Sequence, residues 1–286
     1  MNNLRFVLIF ILFFILRPLS GQDIYYDSAW VKTSKENAKY YRIIDTISKD
    51  NFFARDFYLN GQLQMQGYYV NLDKNIKNGK FSWYSDTGIK TKDCSYTLGK
   101  LDGHYIGWYN NGKIKVEGKY KLDKKDSLWS WYDTNGVINS SGEFDNGISI
   151  GTWTRYYSDG SKQEQFEMKN NKFSGQAIVW DSTGTLKGEI YLDQKLKNGN
   201  IKVYYPNGKM LAEGKFKNKK AEGTWIAYHS NGKKRGEGLV SKGYLSGSWN
   251  YYDENGIIEK MVIYDKKNAV KFPVDLKMVQ QMINGS

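Results

Sequence analysis

Glycine-bounded blocks in which apolar and polar residues alternate recur along this chain, as in GTWTRYYSDG (151–160), GTWIAYHSNG (223–232) and GSWNYYDENG (247–256). Alternation with period two marks a half-buried strand, and no block holds ten residues of helical pattern. The closing glycines Gly88, Gly112, Gly136, Gly160, Gly184, Gly208, Gly232 and Gly256 stand 24 residues apart. The opening glycines keep the same step from Gly79 to Gly247, with Ser127 filling the one gap. A fixed period of this length means a stacked array of one supersecondary unit. Eight units run from Gly79 to about Val270. A degenerate ninth, closed by Gly61, precedes them, with three extra residues near Asn71–Asn75.

With the opening residue as position 0, positions 8 and 9 read Asn-Gly, Asp-Gly or Thr-Gly. Asn-Gly supplies the two positive φ angles of a tight two-residue hairpin turn. Each unit is therefore expected to be a strand over positions 0–6, a two-residue turn and a strand over about 10–17. A lysine-rich loop such as KFKNKKAEG then leads to the next unit. In that register paired positions sum to 17, which sets Trp129 opposite Gly142, Trp225 opposite Gly238, Tyr105 opposite Gly118 and Tyr120 opposite Gly103. An aromatic ring lying over a cross-strand glycine fills the missing side chain's space. A three-residue loop with a bulge at the glycine would shift the register by one and swap the faces.

Alternation assigns positions 0, 2, 4, 15 and 17 to an apolar face and positions 1, 3, 5, 12, 14 and 16 to the other. The second face is expected to carry basic residues at position 12 (Lys115, Lys187, Arg235) and acids at position 14 (Asp93, Glu117, Glu189, Glu213, Glu237). It also carries an unbroken aromatic column at position 5: Tyr84, Trp108, Tyr132, Tyr156, Trp180, Tyr204, Tyr228 and Tyr252. Aromatics on a polar face make that column a candidate binding row. The alternative is that it tucks under a neighbouring loop or joins the core through a bulge.

The pattern GxWxxYYxxG followed by KxxxEGxY resembles the MORN-repeat proteins, and GTWTRYYSDGSKQEQ is similar to the bacterial variant assigned to the YwqK-type toxin–antitoxin antitoxin family. The resemblance covers roughly residues 57–264. It implies an elongated, gently twisted ladder of β-hairpins used for protein contacts, dimerisation or association with membranes. The fold class is thus all-β: a twisted single-layer array of eight to nine hairpin repeats.

Composition changes this picture little. Tyr (23), Trp (9) and Gly (29) with only 3 Pro suit strands joined by tight turns. The formal charge of +12 is spread over loops without a basic run, which reads as solvated loop charge rather than a nucleic-acid footprint. Arg5, the apolar run Phe6–Leu16 and the small-residue exit at Ser20-Gly21 read as a signal peptide over 1–21. That places the protein across the inner membrane: periplasmic, outer-membrane-associated or secreted. Cys94 is the single cysteine and reads as a small buried apolar residue.

The remaining segments are a cap over 22–56, with strands at KYYRIIDTI and FFARDFYL, the repeat domain over 57–270, and a tail over 271–286. A short C-terminal helix is expected in that tail, starting at Asp275. His104 and His229 lie five units apart, too far to share a metal or a proton, and no nucleophile or phosphate-binding motif occurs. The expectation is a non-enzyme without cofactor, metal or catalytic residues, acting as a protein-interaction or structural scaffold. Cell-surface carbohydrate and anionic lipid are the alternative partners.

Overall fold

The computed structural model describes residues 23–193, 195 and 197–273. Among these, twenty strands from Ile24–Tyr26 to Ile258–Tyr264 form one antiparallel sheet in which each strand pairs with the next in sequence. The fold is a single-layer all-β array of hairpin repeats. Expectations for 1–21 and for a helix from Asp275 lie outside the described residues. The cap strands form at Tyr40–Ser48 and Asn51–Tyr58, joined by a three-residue strand, Ile24–Tyr26, that the sequence pattern did not reveal. The repeat register already holds at Phe57↔Leu63 and Ala54↔Gly67.

The hairpin turn differs from the two-residue turn expected. In the unit opened by Gly103, the Gly112 N–H donates to the Tyr109 carbonyl, and the Tyr109 N–H donates to the Lys113 carbonyl. Only the glycine is left-handed (φ 80°), while Asn111 is not. This is a three-residue loop with a glycine bulge. It shifts the pairing next to the turn to a sum of 16, as in Trp108↔Ile114. A second bulge at position 12 adds one residue to the returning strand and restores the sum of 17 at Gly107↔Val116. The two irregularities cancel. The expected pairs Tyr105↔Gly118, Trp129↔Gly142 and Trp225↔Gly238 are therefore present, and positions 2, 4, 15 and 17 share the apolar face.

The two-residue turns with both residues left-handed sit at the opposite edge of the sheet, where a lysine-rich loop was expected. They are Leu98-Gly99, Leu122-Asp123, Asn146-Gly147, Asn170-Asn171, Asn218-Lys219 and Lys242-Gly243. Strands consequently begin three residues before position 0, as in Lys100–Trp108. The opening residue falls in a bulge: between Leu101 and Tyr105 three residues oppose Ser95 alone. Gly103 there has φ 109°, and Ser127, at the one non-glycine site, has φ 60°. Left-handed backbone selects glycine at this position except at Gly199, where a Cβ would instead strike the Tyr191 carbonyl.

Successive units are stitched by side chains. The indole N–H of Trp129, Trp225 and Trp249 donates to the carbonyl of Lys119, Lys215 and Leu239 in the preceding unit. Each ring also lies over the position-15 glycine of that preceding unit: Trp129 over Gly118, Trp225 over Gly214, Trp249 over Gly238. The expected ring-over-glycine pairing thus occurs, but across the inter-unit boundary rather than within the hairpin. The turn asparagines serve the same end. Asn111, Asn207 and Asn231 donate to the carbonyls of Thr134, Ser230 and Glu254 one unit on.

Candidate functional site

The position-5 column lies on the polar face and is half-buried at all eight residues, Tyr84, Trp108, Tyr132, Tyr156, Trp180, Tyr204, Tyr228 and Tyr252. Five of its six hydroxyls are engaged, Tyr84 being the exception. Tyr132 donates to Glu117 (2.5 Å), Tyr204 to Glu189 (2.7 Å), Tyr228 to Glu213 (2.7 Å) and Tyr252 to Glu237 (2.6 Å), each the position-14 acid of the preceding unit. Where that acid is Ser141, Tyr156 still meets its hydroxyl at 3.3 Å. Burial and the Glu213 carboxylate together push the Tyr228 phenol up to about 12. The acids and aromatics expected on one face are there, and they form a ladder that ties unit to unit.

The opposite face is apolar. Two patches on it are covered. Around Ala54, Met65, Tyr69, Phe81 and Cys94 the first strands pack together, and Cys94 is buried with its thiol pushed up by burial. Around Ile201, Phe216, Trp225 and Trp249 the chain folds back after Tyr264, and Phe272 packs its ring 4.7 Å from Trp225 and 6.0 Å from Trp249. Between them lies an aromatic ladder of half-buried rings: Tyr105 and Tyr120 (5.4 Å), Trp131 and Trp153 (5.7 Å), Phe144 and Trp153 (5.3 Å). The Trp153 indole nitrogen is buried without a partner.

Ammonium groups sit on these rings. Lys125 Nζ stands 4.4 Å from the Trp129 ring, 4.9 Å from Trp131 and 5.1 Å from Phe144. Lys92 Nζ lies 3.6 Å from Trp83, and Lys77 lies 5.2–5.8 Å from Phe81, Trp83 and Tyr96. Burial lowers all three lysines from their ordinary value. None of them is in an ion pair with a described carboxylate. The position-12 bulge adds to this set. Lys115 and Asn139, expected on the polar face, line a depression with Trp131, Phe144 and Trp153 instead. The bulge places two consecutive residues on one side of the strand, which strict alternation cannot anticipate. Of the described acids lining this face, Asp56 and Glu164 are paired, with Arg42 and Arg155, while Asp73 and Asp133 line its depressions without an ion pair.

Sequence reasoning missed this basic aromatic face because it counted the lysines as loop charge. Their repeat positions, two before the opening residue for Lys77 and Lys125, were the available signal. Among the described residues no group of three His, Cys, Asp or Glu side chains stands where it could hold a metal.

Six stretches of the chain, 54–71, 101–122, 125–146, 150–170, 197–218 and 221–241, match the family described as MORN repeat variant. Repeats of this kind generally serve protein or membrane interaction. No curated protein matches the chain. Among solved structures, the crystal structure of TarM is 14% identical over 37% of this chain and 21% of that chain, with a TM-score of 0.23. The crystal structure of TcdB2-TccC3 is 10% identical over 86% of this chain and 16% of that chain, with a TM-score of 0.18. The chain thus spans about a fifth or less of either, and neither likeness bears on function.

Proposed function

We propose that this protein is a non-enzymatic interaction scaffold, exported across the inner membrane to the periplasm, the outer membrane or the exterior. Its partner-binding surface is the middle of the apolar face, which no described residue covers, and the partner is a protein that lays an acidic segment along the aromatic ladder. One observation carries the reading: Lys125 holds an ammonium over three aromatic rings with no described carboxylate to neutralise it. A desolvated cation backed by aromatic surface gains most from an anionic partner that brings its own apolar contacts. An antitoxin-like role would be one form of such protein binding. The position-5 tyrosines Tyr132, Tyr204, Tyr228 and Tyr252 are assigned to inter-unit bonding, because their hydroxyls are already spent on position-14 acids.

The test is capture from envelope extract with the wild-type chain and with a Lys125→Gln, Trp131→Ala double variant as baits, in low and high salt. A defined acidic protein held by the wild type and lost from the variant is the expected result. Equal capture by both baits, or recovery of lipid or polysaccharide without protein, refutes the reading.

A further inference from the structure

At its N-terminal end the apolar face deepens into a cavity of about 730 Å³, within the roughly 300–1,000 Å³ range of small-molecule sites. Buried Asp56 and Met65 belong to its floor, Tyr69 and Trp83 to its walls, and exposed Lys32 and Asp73 also line it. The floor is fixed by a buried ion pair. Arg42 donates to both Asp56 oxygens, at 2.5 and 2.8 Å, and its guanidinium lies 5.3 Å from the Tyr26 ring and 5.5 Å from the Tyr69 ring. Burial opposes the Arg42 charge, and the Asp56 carboxylate outweighs it, so the guanidinium is held above its ordinary value.

The mouth is built by the turn after Tyr26. The Asp27 carboxylate accepts from the Ala29 and Val31 N–H groups, and Trp30 is forced to φ 62°. A bulky residue held left-handed is strained and persists where the surroundings impose it. The strain places the Trp30 ring flat against Tyr40 at 4.5 Å, at the cavity rim and 39% exposed.

Two polar groups in the cavity make no hydrogen bond or ion pair among the described residues. The Lys77 ammonium, half-buried, lies on aromatic rings without a hydrogen bond or ion pair, and the carboxylate that acts on it from a distance, Asp56, is already held by Arg42. The Gln64 amide makes no hydrogen bond, and its Oε1 is buried. An ammonium without an acceptor calls for an anion, and an amide without a partner calls for a group that both donates and accepts. Aromatic walls favour flat, partly apolar rings. We infer that this cavity binds a short oligosaccharide bearing a carboxylate, with Lys77 taking the acid, Gln64 the hydroxyls and Trp30 stacking on a sugar ring. This goes beyond the scaffold reading and is independent of the Lys125 ladder.

The experiment titrates the full chain with trigalacturonate and with neutral maltotriose, following tryptophan fluorescence and calorimetric heat. Saturable binding of trigalacturonate, about tenfold or more tighter than maltotriose, is expected, the preference of one charge-assisted bond. Lys77→Met should abolish the preference, and Trp30→Ala should weaken trigalacturonate about tenfold, both with unchanged thermal melting. Should Lys77→Met fail to fold, exposed Lys32→Gln at the same rim provides the charge test, with a several-fold loss expected. The Lys125→Gln, Trp131→Ala variant should bind trigalacturonate as the wild type does, which separates this site from the scaffold surface. Absence of saturable binding, equal affinity for the neutral trisaccharide, binding indifferent to both rim variants, or equal binding of hexaglutamate would overturn the inference.

Discussion

Truncating Trp225 to alanine probes the bond between units most directly. The side chain is 0% exposed, its indole N–H donates to the Lys215 carbonyl at 3.1 Å, and its ring meets Phe216 edge-on at 5.5 Å and Phe272 at 4.7 Å. Loss of a buried tryptophan costs about 3–5 kcal/mol, and the carbonyl left without its donor puts this site at the upper end. The informative partner is Gly214, because a Cβ there would stand inside the Trp225 ring, at Cδ2 and Cε2. Gly214 itself is not left-handed, so only that ring forbids a side chain. Gly214→Ala alone should therefore cost about 1–3 kcal/mol through overpacking. In the Trp225→Ala background the obstruction is gone, and the same change should be neutral or stabilise by about 0.5–1 kcal/mol, since alanine loses less backbone entropy than glycine. The double-mutant cycle should thus return a coupling of about 2–3 kcal/mol, read from urea titrations followed by circular dichroism with slopes compared across the four proteins. Equal costs for Gly214→Ala in both backgrounds would refute the inter-unit stacking.

Two further outcomes follow from local conformation and charge. Leu122 is 52% exposed with φ 49°, so Leu122→Gly should raise stability by about 1 kcal/mol, while Asn170→Gly, where asparagine already tolerates φ 52°, should change little; a destabilised Leu122→Gly in thermal melting would sink the strain argument. Glu164 is pushed up to about 7 by burial, only partly relieved by Arg155, so the folded chain holds an extra proton between about pH 4.5 and 7 and loses stability as pH rises through that window. Relative to Glu164→Gln, the wild type should lose about 1–2 kcal/mol between pH 4.5 and 8, discounted for screening around the half-exposed Arg155; melting curves that stay parallel across this range would refute it.

Much of the fold was written locally. The 24-residue step, the period-two alternation and the glycines at positions 0, 9 and 15 each reflect a constraint felt within a few residues, so they survive in the sequence as repeated letters. The face of Trp129, Trp225 and Trp249 was legible because two bulges, one at the turn glycine and one at position 12, cancel in the register. The turn type was not. Asn-Gly fits either a two-residue turn or a three-residue loop, and the same three-residue loop forms at Thr87-Gly88, Asp159-Gly160 and Thr183-Gly184, so the residue before the glycine does not decide it. The primed turns at Leu122-Asp123 and Asn218-Lys219 carry no glycine and so gave no signal, their left-handed angles being imposed by the strands on either side.

The candidate site divides the same way. Sequence alone placed the position-5 aromatics and the position-14 acids on one face, because alternation along a strand follows from counting. Only the assembled sheet decided that the hydroxyls of Tyr132, Tyr204, Tyr228 and Tyr252 are occupied, that each tryptophan covers the glycine behind it rather than the one it was paired with, and that Phe272 covers one end of the apolar face. It also decided that Trp30, 39 residues from the Tyr69 it helps enclose, closes a cavity at the other end. These are contacts between residues far apart in the chain. Alternation fixes which face a side chain takes, while what lies across that face depends on how the ends of the chain fold back over it.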